Sequence, residues 1–141
     1  MIKLAWLLAV LVLAACHRSV TLPDVFPETV GSAWHRTALN HPPVSDAPDP
    51  VPRSAVDQFQ SAMYEGPGKI DGRAYVLDSP AVALELAQRW RPSADTVFFY
   101  SGRYFVVLKW QDADRKALQA FVTELQKRLG KPKADASGNA P

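Results

Sequence analysis

Residues 96–110 read TVFFYSGRYFVVLKW, two runs of β-branched and aromatic residues parted by Ser101-Gly102. Side chains alternate between the two faces of a strand, and a two-residue connection containing glycine has the length of a tight hairpin turn. The spacing predicts an antiparallel pair in which Phe99 faces Tyr104, Phe98 faces Phe105 and Val97 faces Val106. One face of that pair collects Val97, Phe99, Tyr104, Val106, Leu108 and Trp110, too much apolar surface to leave in water, and is read as core. The other shows Phe98 and Phe105 as an aromatic pair ringed by Tyr100, Arg103 and Lys109, and is read as a candidate binding face. The competing reading is that a helix over residues 54–66, the Trp34 segment or a sister subunit covers it.

Working outward, residues 69–78 (KIDGRAYVLD) read as a further strand, and residues 29–39, around Trp34, as a short one. Three helices are expected. Ser54 with Asp57 three residues on looks like a capping pair, and Val56, Phe59 and Met63 fall at helical spacing before Gly66. Ser79-Pro80 is a cap and first-turn pair, followed by Ala83, Leu86, Ala87 and Trp90 on one stripe until Arg91-Pro92. The third helix takes Asp112 as its cap, buries Leu118, Phe121, Val122, Leu125 and Leu129, and ends with Lys127 and Arg128 before Gly130. Residues 40–52 (NHPPVSDAPDPVP) predict an extended proline-rich surface loop, and residues 131–141 a disordered tail. The fold class these elements imply is α+β: a small, mostly antiparallel sheet with a tight aromatic hairpin and about three helices packed on one face.

The amino terminus carries a different kind of signal. Lys3 precedes an uncharged run, LAWLLAVLVLAA from residue 4 to residue 15, which ends at Cys16. As a helix those twelve residues would span about 18 Å, short of the roughly 30 Å hydrocarbon core, so the run reads as an export signal rather than a membrane span. Leu13-Ala14-Ala15-Cys16 resembles the lipobox of exported bacterial lipoproteins. That resemblance implies cleavage before Cys16, lipid on its thiol and membrane attachment through that lipid. His17, where the sorting pattern for inner-membrane retention has Asp, favours delivery to the outer membrane, facing the periplasm. The organisation expected is a signal peptide over residues 1–15, a lipidated tether over 16–28 and a single domain over 29–130.

Composition narrows the partners. A net charge of +2 over 141 residues gives no basic surface for phosphate neutralisation, so nucleic acid is set aside. The single cysteine cannot form an internal disulfide. His17, His35 and His41 are the only histidines, and neither they nor any other grouping has the spacing of a zinc site. There is no phosphate-binding glycine loop, no nucleophile elbow and no cofactor motif. The role that fits is a non-enzymatic accessory or interaction module working with an envelope protein partner. A small-molecule binder using a pocket near Trp34, Trp90 and Trp110 is the alternative, and an envelope enzyme comes third.

Trp34-x-Arg36, Tyr64-x-Gly66, Ser79-Pro80-x-x-Ala83 and the run from Phe99 to Val107 resemble an uncharacterised family of exported bacterial proteins. The resemblance spans residues 30–129 and implies a small α+β domain. It carries no activity and no catalytic residue with it.

Overall fold

A computed structural model describes residues 24–130. The leader, Cys16, most of the tether and residues 131–141 lie outside the described residues. Six strands form one antiparallel sheet: β1 (Thr29–Val30), β2 (Trp34–Asn40), β3 (Val56–Glu65), β4 (Lys69–Leu77), β5 (Thr96–Ser101) and β6 (Tyr104–Gln111). Their spatial order is β1-β2-β3-β4-β6-β5, and the sheet curls into a half-barrel. The helices are α1 (Pro80–Arg89) and α2 (Arg115–Leu129).

The α+β class holds, with two helices rather than three, and they lie on opposite faces of the sheet. Even-numbered residues of β4 and β6, among them Ile70, Ala74, Val106 and Leu108, join Phe99, Tyr64 and Trp34 in one core under Leu118, Phe121 and Leu125 of α2. Odd-numbered residues of the same strands, Tyr75, Leu77, Phe105 and Val107, form a second core under Ala83 and Leu86 of α1. Strand alternation divides the two cores, because each β4 or β6 side chain must choose a face.

The segment expected as the first helix is the long strand β3, paired with β2 on one side and β4 on the other. The helical spacing of Val56 and Phe59 has another origin. A register shift between Val56 and Gln58 inserts one residue, so both side chains reach the α1 core although they are three apart. Beyond the bulge Gln60, Ala62 and Tyr64 face the α2 core, and the buried glutamine breaks the apolar alternation that would have signalled a strand.

The hairpin forms, with its pairing moved by two. Ser101 pairs with Tyr104, Tyr100 with Phe105, Phe99 with Val106 and Phe98 with Val107. Gly102 has φ +54°, and a turn with glycine first and positive takes Gly102-Arg103 as its central residues. A shift of two preserves the faces, so the division into two apolar sets is the one expected from alternation. Asp114, not Asp112, caps α2: its carboxylate accepts from the Ala117 N–H at 3.3 Å, while Asp112 sits at φ +53° in the turn that leaves β6. Ser79 caps α1, accepting from the Val82 N–H.

Two segments expected to lie loose on the surface are built into the cores. Val25 and Phe26, placed in the tether by the sequence, are 1% and 0% exposed in the α2 core. The Val25 N–H donates to Gln60 Oε1 at 2.9 Å, Arg36 donates to the Phe26 carbonyl and the Tyr64 hydroxyl to that of Pro27. The core thus takes in Val25 and Phe26, which lie ahead of the boundary expected at residue 29. Within the proline-rich segment, two short 3-10 turns at Val44–Asp46 and Arg53–Ala55 position Ala47 and Val51 in the α1 core. Proline removes donors, but Val44, Ala47 and Val51 recur at spacings of three and four, and that stripe seats the segment.

Candidate functional site

The five residues of the expected binding face part company. Phe105 is 0% exposed, held between Phe98 at 5.7 Å and Trp90 at 5.2 Å between ring centroids, beneath α1. Arg103 donates from Nε to the Leu77 carbonyl at 2.7 Å and from Nη2 to the Asp57 carboxylate, tying the hairpin tip to β3 and β4. Tyr100 is exposed beside that tip. Lys109 stands at the other end of the hairpin, 3.7 Å from Asp95. They are therefore a core pair, a staple and two separate surface groups rather than one contiguous surface.

Nor do the three tryptophans converge. Trp34 is buried in the α2 core, where its Nε1 donates to the Ala117 carbonyl, and Trp110 packs at the edge of the same core. Trp90 lies across the sheet, against the α1 core.

Two concavities remain at the residues the sequence singled out. The first is a cleft of about 280 Å³ at the end of α1, where Asp71, Arg73, Asp95 and Lys109 stand among apolar neighbours that include Trp90 and Val107. Asp71 and Lys109 are direct cross-strand partners, Arg73 lies 4.0 Å from Asp71, and Lys109 pairs with Asp95. Each cation thus has a carboxylate neighbour, so the cleft offers little unmatched charge to a small ionic ligand. Trp90 Nε1 is buried from solvent and makes no hydrogen bond, and so presents no donor to a visitor.

The second is an apolar groove of about 530 Å³ between β5 and the first turns of α2, lined by Ala94, Val97, Trp110, Leu118 and Val122 with Arg115 and Gln119 on its rim. β5 is the outer strand of the sheet on that side. No single residue signals this groove in the sequence, because it arises where an edge strand and a helix meet. The signal that was available is the absence of charge from 96 to 101.

The buried tyrosines give the interior its most distinctive ionisation behaviour. Tyr64 and Tyr75 are both 0% exposed, and burial raises both phenols above the usual value near 10, Tyr64 well above it. Nearby Arg36 and Arg128 at Tyr64, and Arg73 at Tyr75, oppose that shift without cancelling it. The folded state therefore keeps two protons that the unfolded chain gives up above pH 10. Stability is unaffected by these groups well below pH 10 and falls as the pH rises past it, with a limiting slope of about 1.4 kcal/mol per pH unit at Tyr64 and a further loss in the same direction from Tyr75. Denaturant midpoints measured between pH 9 and pH 11.5 should fall steeply at the alkaline end in the wild type and less in Tyr75→Phe.

Among the described residues, no three His, Cys, Asp or Glu side chains are placed to share a metal ion, and no helix is long and apolar enough to cross a membrane. Comparison with protein-family models, curated proteins and solved structures finds no match to this chain.

Proposed function

We propose that this chain is a lipid-anchored protein of the bacterial cell envelope, held on the periplasmic side of the outer membrane through acyl chains on Cys16, and that it acts there as a non-enzymatic interaction module. The observation that carries this reading is the twelve-residue uncharged run over 4–15, followed directly by Cys16 so that it closes in Leu13-Ala14-Ala15-Cys16. Two or more acyl chains, at about 0.8 kcal/mol per buried CH₂, make release from a bilayer slow, and no polybasic segment is needed to assist them.

The ordered domain fits such an anchor. Asp24 is eight residues beyond Cys16, so the domain would sit within about 29 Å of the lipid even on a fully extended tether. The interaction role is supported by the apolar groove beside β5, whereas the cleft at the end of α1, with its charges paired, gives an ionic small-molecule ligand less to hold.

Growing the native host on an alkyne-bearing fatty acid tests the anchor. The wild-type chain should become labelled and partition into detergent, and Cys16→Ser should carry no label wherever it fractionates. An unlabelled wild-type chain, or equal labelling of the two, would overturn the reading.

A further inference from the structure

Building on that interaction role, we propose that β5 receives an extended segment of a partner protein as a seventh strand, with alternate apolar side chains of the segment seated in the groove between β5 and α2.

The backbone makes the first part of the case. Ser101 and Tyr104 flank a two-residue turn and so form a hydrogen-bonded pair, and the alternation of an antiparallel ladder turns the amides of Phe99 and Val97 toward β6 as well. Phe98 and Tyr100 then direct N–H and C=O outward, past the last strand of the sheet. The Thr96 N–H is already committed to the Ser93 carbonyl at 3.1 Å, which sets one end of the available ladder.

Edge strands of stable proteins are normally protected by a charge, a proline, a bulge or shortness. The opposite edge has the last device, since β1 is two residues long. β5 has six residues, TVFFYS, with none of the four. Beside it lies an apolar groove, so main-chain pairing and side-chain pockets are side by side, the combination that strand addition uses. Arg115 on the rim favours an acidic residue in the incoming segment.

A second copy of this chain fits less well. Symmetric pairing of two β5 strands that uses both outward residues sets Phe98 against Tyr100 of the second copy and centres on Phe99. Val97 then lies across from Ser101 of the second copy, where β5 ends, so a hydroxyl meets the groove and its Ala94 end stays empty. A longer foreign segment fills both. The first described residue also lies away from this edge: Asp24 is beside His41, just past β2, four strand positions from β5 in the sheet.

The test uses the full lipidated chain in detergent against a display library of random octapeptides. Selected peptides should be apolar at alternate positions with an acidic residue near one end, and should slow amide exchange at Phe98 and Tyr100 while shifting Trp110 emission. N-methylating the amides that face β5 should weaken a selected peptide at least about tenfold, the scale of one or two lost hydrogen bonds. Tyr100→Pro, at an exposed edge position, and Val122→Glu, in the groove, should do the same. Failure to select an alternating sequence overturns the proposal, as does undiminished binding of the N-methylated peptide to the wild-type chain, which is informative even if the variants fold poorly. A dimer dissociated by Tyr100→Pro would assign the edge to a second copy and also overturn it. Acyl labelling at Cys16 is independent of all these outcomes, so the anchor and the strand addition can fail separately.

Discussion

Phe26→Ala is expected to lower the stability of the domain by about 3–5 kcal/mol, the range for truncating a fully buried phenylalanine. For a domain of this size that is a fall in melting temperature on the order of 15 °C or more. The size of the effect follows from position. Phe26 is 0% exposed and its ring lies on the backbone of Gly72 in the middle of β4, where a Cβ would come within 2.8 Å of it and 3.2 Å of Leu108. Gly72 is glycine because a phenylalanine occupies the space above it. Gly72→Val alone should therefore also be destabilising, by roughly 1–3 kcal/mol for overpacking. In a Phe26→Ala background the same valine enters the vacated volume, so the two losses should sum to more than the double variant shows. Thermal melts of the four chains would measure the coupling. Strict additivity would mean that Phe26 does not rest on Gly72, and that the domain begins further along the chain.

The sequence misplaced this segment for a physical reason. VFPE looks like tether, since two prolines flank Val25-Phe26 at positions 23 and 27 and no period extends from them. The contacts that hold it come from Gln60, Tyr64 and Arg36, residues ten to thirty-seven positions away, and local pattern carries no trace of them. The same holds for β3. Its bulge reproduces the spacing of a helix, and its buried Gln60 removes the alternation of a strand. Where partners are near in sequence the reading was sound: the two hairpin faces, the strand over 69–78, the Ser79 cap and the stripe of α2 all rest on local periodicity. The groove beside β5 could not be read, because its walls are 94–97, 110 and 115–122, brought together by tertiary packing.

The second large effect is Phe105→Ala, which should cost about 3–5 kcal/mol and leave the chain near the limit of stability at 37 °C. Phe105 is enclosed by Phe98, Trp90 and the α1 core, and the collapse available to those neighbours is small because β4 and β5 hold the β6 backbone from either side. Tyr100→Ala, one strand over at the exposed position directly opposite, should change stability by less than about 1 kcal/mol. The contrast separates the two roles that the sequence merged. A Phe105→Ala chain that melts with the wild type would place this ring on the outside and return the aromatic pair to candidacy as a contact surface.

These cores explain how a chain of this length holds an open edge without unravelling. β6 is paired on both sides, and its side chains enter both the α1 and the α2 core, so β5 is fastened to a strand held on every side. A module that presents such an edge gains from being fixed in place. A lipid on Cys16 would confine it to one surface and raise its effective concentration toward whatever shares that surface.

The anchor is accordingly the claim on which the role depends, and mass spectrometry of the chain isolated from native host membranes addresses it without any variant. A mature amino terminus at Cys16, with diacylglyceryl mass on the thiol, is the result expected. A chain that still begins at Met1, or one whose Cys16 sulfur is bare, would contradict it.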